Sequence, residues 1–222
     1  MLNSLLLGGV IIGKSESPIY AIILAAGTSS RMGKPKQLLS FGNKSLLDTV
    51  ISLVFSEGFS EIITVIGREA ETIRKEIAID EPHFRWVVNP AYEKGQSVSL
   101  RKAIEHAEGN PLNVMIFLGD LPFLESETIQ TILNLGKKKL KRTREPFVIR
   151  PKVKGKVGHP VFFGNIEREW FNQLQGDQVA KPILKQIRNR TDVEVIDEGI
   201  LFDIDTPEDY EQAVSLLVKK GK

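Results

Sequence analysis

The sequence predicts an α/β fold in three layers, a mostly parallel sheet with helices on both faces. Three observations predict it. Short continuous apolar runs alternate with stretches whose apolar residues recur at helical spacing. Apolar residues make up 41% of the chain and charged ones 26%, enough to build a core and too apolar for wholesale disorder. The 222 residues hold no repeat, no low-complexity tract and no linker long enough to divide them, so one large domain is expected.

The elements follow in order. Residues 20–24 (Tyr-Ala-Ile-Ile-Leu) form an apolar run suited to a strand buried on both faces. Ser45 with Asp48 three residues on opens like a capping box. Leu46, Leu47, Val50, Ile51 and Val54 continue at helical spacing to a stop at Gly58. Residues 61–66 read as a strand, 69–78 as a helix, 84–88 as a strand ended by the Asn89-Pro90 turn, 97–107 as a helix with Ser97 as its cap, 114–118 as a strand and 126–140 as a helix. The second half is less regular. Strands are expected at 147–150, 160–163, 193–196 and 201–204, and helices at 165–174, 178–187 and 207–218. Right-handed crossovers would gather the loops that follow the strands on one edge of the sheet, where such folds bind ligands.

Composition excludes several chemistries. The chain has no cysteine, which removes disulfides, thiolate zinc sites, iron–sulfur clusters and cysteine nucleophiles, and fits a cytoplasmic, reducing setting. A net charge of +2 does not suggest a nucleic-acid binder. The basic residues Lys137, Lys138, Lys139, Lys141, Arg142 and Arg144 have no aromatic among them for base stacking, and read as a solvated helix end. The apolar part of residues 1–13 is too short to span a bilayer, and no Lys or Arg precedes Lys14 as a secretory signal would require. Residues 1–18 therefore read as an N-terminal extension to a domain at 19–222.

The most informative segment is the loop after the first strand, Leu24-Ala-Ala-Gly-Thr-Ser-Ser-Arg-Met-Gly-Lys-Pro-Lys36. Small side chains let backbone N–H groups approach an anion, and Arg31 and Lys36 add charge for phosphate oxygens. Five residues separate Gly27 from Gly33 and Pro35 follows Lys34, so this is not a P-loop; the G-x-G-x-x-G fingerprint is absent as well.

With these residues in view, the chain resembles the MobA-like NTP transferase family, and within it the molybdenum cofactor cytidylyltransferase branch. The resemblance rests on Leu24-Ala-Ala-Gly27, Ser30-Arg-Met-Gly33 and Lys36; on Asn89-Pro with Glu93-Lys-Gly-Gln-Ser-Val-Ser-Leu100; and on Leu118-Gly-Asp-Leu-Pro122, Gly158-His-Pro-Val161 and Asp203-Ile-Asp-Thr-Pro-Glu-Asp209. It covers roughly residues 19–215, about one domain. It implies a Rossmann-like, GT-A-like nucleotidyltransferase domain in which an acceptor phosphate attacks the α-phosphorus of CTP or another NTP and expels pyrophosphate.

The resemblance also implies roles. Leu24, Ala25, Ala26, Gly27, Arg31, Lys36 and Ser97 would bind nucleotide, with Arg31, Lys36 and Asp120 catalytic. Asp120 and Asp205 would hold Mg²⁺, which suits two carboxylates completed by phosphates and water. Ser97 and His159 would face the acceptor, expected to be molybdopterin cofactor, and a molybdoenzyme is an expected client. Asp203 and Asp205, two apart on an expected strand, would point to one face. Thr206-Pro-Glu-Asp209 explains itself as a helix start. The alanine at position 26 leans toward CTP, the guanylyl branch having glycine there. Other readings stay open: a guanylyl- or sugar-phosphate nucleotidyltransferase, or a non-catalytic nucleotide-binding maturation factor.

Overall fold

A computed structural model describes residues 17–29, 31–176 and 180–220. Most of the expected extension at 1–18 and the start of the expected helix at 178 lie outside the described residues. In chain order the strands are β1 (Tyr20–Ala25), β2 (Ser40–Phe41), β3 (Lys44–Ser45), β4 (Glu61–Ile66), β5 (Phe84–Val88), β6 (Leu112–Leu118), β7 (Phe147–Val153), β8 (Lys156–Val157), β9 (Val161–Ile166) and β10 (Asn189–Glu194). The helices are α1 (Leu46–Phe55), α2 (Ala70–Glu76), α3 (Gln96–His106), α4 (Ser126–Leu140), α5 (Arg168–Asn172), α6 (Lys181–Gln186) and α7 (Pro207–Lys220).

The main sheet runs β10-β7-β9-β6-β1-β4-β5, with β8 paired to β7. Strands β6, β1, β4 and β5 are mutually parallel, and β9 is antiparallel to both of its neighbours. The chain leaves β1 for β4 on one side and returns to β6 on the other. The strand order thus reverses at β1, and loops on its two sides part to leave a crevice.

Strand periodicity builds both cores. Ala21, Ile23 and Ala25 pack with α1 (Leu47, Val50, Ile51) and α4 (Ile129, Ile132, Leu133). Tyr20, Ile22 and Leu24 pack on the opposite face with α3 (Leu100, Ile104), α5 (Phe171) and α6 (Ile183). Both faces of β1 are covered, which is why its sequence is continuously apolar rather than alternating.

Ser45 caps α1 as expected: the Asp48 amide donates to Ser45 Oγ at 3.3 Å. Three expectations are corrected. The strand near the C-terminus is 189–194 rather than 193–196. It is a polar edge strand whose Asp192 and Glu194 pair with Arg150 and Lys152 of β7, so no apolar run announced it. The expected strand at 201–204 is absent; Glu198–Leu201 is a 3₁₀ turn followed by irregular chain. The residues at 165–174 form a shorter helix, Arg168–Asn172, because β9 continues through Ile166. No helix among the described residues is long and apolar enough to cross a membrane.

Candidate active site

The crevice beside β1 is built by register. Leu24 lies opposite Leu118 of β6 and Val65 of β4, so the three strands end level. The Gly119 amide then donates to Leu24 O at 2.9 Å, drawing the exit of β6 against the exit of β1. A Cβ at Gly119 would lie 2.8 Å from Ala25 Cβ and 3.0 Å from Leu47 Cδ1, so the close approach needs glycine. Asp120, the next residue, emerges over the loop that follows β1.

A cavity of about 430 Å³ opens there. Of the predicted nucleotide and metal residues, Leu24, Ala25, Ala26, Gly27, Arg31, Lys36, Asp120 and Asp205 line it, as does Asp203. They come from three separate stretches of chain. Lys36 joins them: its Nζ donates to Asp120 Oδ2 at 2.6 Å, to Asp205 Oδ1 at 2.7 Å and to Ile204 O at 3.1 Å. Arg31 Nη2 donates to the other oxygen of Asp205 at 2.8 Å. The Arg31 side chain is 64% exposed and that of Lys36 only 13%, so water screens the first pair far more than the second.

Burial opposes the charge on Lys36, but Asp120 and Asp205 outweigh it and hold the ammonium above the ordinary lysine pKa. Burial likewise works against the Asp205 carboxylate, and Lys36 and Arg31 overcome it, leaving Asp205 below its ordinary value. Asp203, partly buried and near the negative charges of Asp120 and Asp205, is shifted upward.

Asp203 and Asp205 share the cavity although no strand carries them. Phe202 and Ile204 pack into the small core formed by Leu39, Phe41 and Leu46, which leaves the alternating residues Asp203 and Asp205 facing outward. Thr206 caps α7 as expected: the Asp209 amide donates to Thr206 Oγ1, and the amides of Asp205 and Thr206 donate to Asp209 Oδ2. The end of this segment is therefore fixed to a helix.

Two predicted site residues do not line the cavity. Ser97 is fully buried. Gly95 precedes the helix at φ 100°, so Ser97 is not the cap; its hydroxyl donates to Gln175 O at 3.2 Å. It shares a helix face with Leu100 and Ile104, which turns it toward the core. Gln96 and Ser99 line the cavity in its place. His159 is half-buried behind β6. Its Nδ1 donates to Ile116 O at 3.3 Å and its amide to Ile200 O at 3.2 Å. Burial depresses its pKa, opposed by the Ile116 bond and the charges of Asp120 and Asp203, so the imidazole is neutral at pH 7.

Sequence reasoning missed Gln37 and Tyr92. Gln37 is buried; its Nε2 donates to Ala25 O at 2.7 Å and more distantly to Gly27 O, and it accepts from Ser29 Oγ, which fixes the turn of the loop. The signal in the sequence is its place between Lys36 and the apolar pair Leu38-Leu39. Tyr92 packs on Gly67 so closely that a Cβ there would lie 2.6 Å from Tyr92 Cβ and 3.0 Å from Ala26 O.

The donor set fits a hard divalent cation. Asp120 Oδ1 is buried without a hydrogen-bond partner, and the two carboxylates already converge on one positive charge. Among the described residues no group of three or more His, Cys, Asp or Glu forms a complete metal cage.

Comparison with known proteins agrees with this architecture. The model of the MobA-like NTP transferase domain matches residues 21–192. The molybdenum cofactor cytidylyltransferase of Escherichia coli K12 is 28% identical over 209 residues, covering 87% of this chain and 94% of that protein. The purine catabolism protein PucB of Bacillus subtilis 168 is 27% identical with the same coverage. Rv0371c of Mycobacterium tuberculosis H37Rv has the same fold at TM-score 0.75 and 25% identity, covering 90% of this chain and 99% of that one. A family match spanning most of the chain, on a sheet whose switch point carries the family's loop, gives the assignment: the chain belongs to the MobA-like NTP transferase family and is a nucleotidyltransferase.

Proposed function

We propose that the protein transfers CMP from CTP to molybdopterin cofactor, releasing pyrophosphate, with Mg²⁺ held by Asp120 and Asp205. The observation that carries the metal-assisted chemistry is the pair of carboxylates bridged by Lys36, with Asp120 Oδ1 left unpartnered. The choice of CTP and of acceptor draws on the similarity to the Escherichia coli cytidylyltransferase and on alanine at position 26.

The chemistry suits this side-chain set. A phosphate monoester on the acceptor, with a second pKa of about 6, is a dianionic nucleophile at neutral pH and needs no general base. Its oxygen forms a bond to the α-phosphorus while the bond from that phosphorus to the oxygen bridging to the β-phosphate breaks, and pyrophosphate carries the electron pair away. The obstacle is the meeting of anions. When bound, the metal would neutralise charge on the triphosphate and its leaving group. Lys36 stays protonated throughout the neutral range and keeps one positive charge at the carboxylates. Arg31, on the exposed rim, offers a guanidinium fork to incoming phosphates. The backbone of 25–28, braced by Gln37, forms the small-residue wall that phosphates can approach closely. The absence of cysteine agrees with a cytoplasmic setting.

The test is pyrophosphate release with CTP, GTP, ATP and UTP, each against molybdopterin cofactor and a set of sugar phosphates. CTP with molybdopterin cofactor is expected to give the highest kcat/KM. Preference for a sugar phosphate would replace the acceptor, preference for GTP would replace the nucleotide, and nucleotide binding without turnover would favour a maturation factor.

A further inference from the structure

Asp205 reaches Asp120 on a strap, residues 197–206, that belongs to no strand and so takes no position from the sheet ladder. Something else must set its distance from the exit of β6. Beside the bonds from Lys36 to Ile204 O and Asp205 and from Arg31 to Asp205, polar stitches hold it along its length. At its far end, Ile204 N donates to Asp120 O at 3.1 Å. In the middle, His159 N donates to Ile200 O, and Gly158 sits so close that a Cβ would be 2.3 Å from that oxygen. At its start is Asp197, a carboxylate only 2% exposed and remote in sequence from the cavity.

Asp197 uses both oxygens on backbone. Oδ2 accepts from Glu125 N at 2.9 Å, in the segment that follows Asp120; Oδ1 accepts from Gly199 N at 2.8 Å, in the strap itself. Gly199 is pressed onto the same ledge, where a Cβ would lie 2.2 Å from Phe123 O. Phe202 then packs edge-on against Phe123 at 5.2 Å between ring centroids. One buried side chain thus ties the segment leaving one carboxylate to the segment leading to the other. A carboxylate spent on two amides across 72 residues is costly to bury unless both bonds are made.

We propose that Asp197 is a positioning residue for the Asp120–Asp205 pair: its clamp fixes how closely the strap brings Asp205 to Asp120, and so sets the affinity of the site for a divalent cation. The proposal rests on reading those two aspartates as the metal pair. Residues that orient metal ligands without touching the metal commonly govern about 10–100-fold of affinity.

The test uses the full chain with CTP and no acceptor, and follows Mn²⁺ uptake by electron paramagnetic resonance together with amide exchange of residues 198–206. Asp197→Ala is expected to weaken Mn²⁺ binding about 10-fold and to speed exchange in the strap. Asp197→Asn, which keeps one acceptor oxygen, is expected to lie between it and wild type. Gly199→Ala attacks the same ledge from the other side and should act alike, which keeps the proposal testable if Asp197→Ala does not fold. Ile183→Ala, in the opposite core, should lower thermal stability and leave Mn²⁺ binding unchanged. A Mn²⁺ titration of Asp197→Ala or Asp197→Asn that superimposes on wild type overturns the proposal, as does an equal loss of binding in Ile183→Ala. If the wild type takes up no Mn²⁺, the metal reading falls. The affinity claim falls with it, and strap exchange alone then decides the clamp: unchanged protection in the Asp197 variants overturns that as well.

Discussion

Lys36 and Asp120 are joined by a 2.6 Å hydrogen bond across 84 residues of sequence, and the same ammonium holds Asp205. Lys36 stands between two carboxylates that would otherwise repel each other at close range. It is therefore a structural cation and, under the proposed function, the charge nearest the metal pair.

Replacing Lys36 with methionine should separate those roles. Loss of one well-placed charged donor costs about 10²–10³ in kcat. The two carboxylates left without their ammonium should also lower the melting temperature, and added Mg²⁺ should raise it more in Lys36→Met than in wild type, since a cation would then relieve the repulsion. Thermal melts across a Mg²⁺ series read this directly. Equal Mg²⁺ shifts in both proteins would count against the shared-cation arrangement.

Asp120→Asn keeps the shape of the side chain and removes its charge. We expect a loss of at least about 100-fold in kcat/KM at fixed Mg²⁺, in a protein that remains folded because the bond from Gly119 to Leu24 is untouched. Asp205→Asn should act in the same direction. Turnover at the wild-type rate in either variant removes the metal assignment.

Ala26 lines the cavity at the exit of β1, beside the carbonyl that approaches Gly67. Ala26→Gly should reduce the preference for CTP over GTP. The ratio of the two kcat/KM values is the measurement, and an unchanged ratio denies the methyl group a part in base choice.

Gly67→Ala should be unfavourable for a steric reason independent of substrate. The added methyl meets Tyr92 Cβ at 2.6 Å and Ala26 O at 3.0 Å, so one wall of the cavity must shift. We expect a loss of about 1–3 kcal/mol in unfolding free energy and a raised KM for nucleotide. Urea unfolding and initial-rate kinetics check the two halves.

His159 predicts a pH dependence of stability. Burial lowers its folded pKa below the ordinary 6.5. Above about 6.5 the ring is neutral in both states and pH has no effect through it. Below that value the unfolded chain binds a proton that the folded chain refuses, so stability falls with pH until the folded pKa is passed. The urea midpoint should therefore drop between pH 7.5 and 5.5 by more in wild type than in His159→Gln. Parallel drops would show that His159 is not the titrating group.

Legible from the residues alone were the layered α/β class, the loop at the switch point and most of the side chains that line the cavity beside it. Those properties are local. A strand covered on both faces must be continuously apolar, as 20–25 is, and the small and basic composition of 24–36 is read within one loop. Ser45 and Thr206 announced their caps because capping is settled within four residues. Only tertiary structure decided which distant groups meet. The polar edge strand 189–194 is held by its backbone ladder to β7, with ion pairs beside it, and not by an apolar run. Ser97 turned inward because its helix is capped at Gly95, two residues earlier than its hydroxyl suggested, and His159 braces β6 and the strap. Asp203 and Asp205 face the cavity through the packing of Phe202 and Ile204, without a ladder. The union of Lys36 with Asp120 and Asp205, and the Asp197 clamp behind it, join segments tens of residues apart. Their separations depend on register and packing across the sheet, which no local pattern encodes.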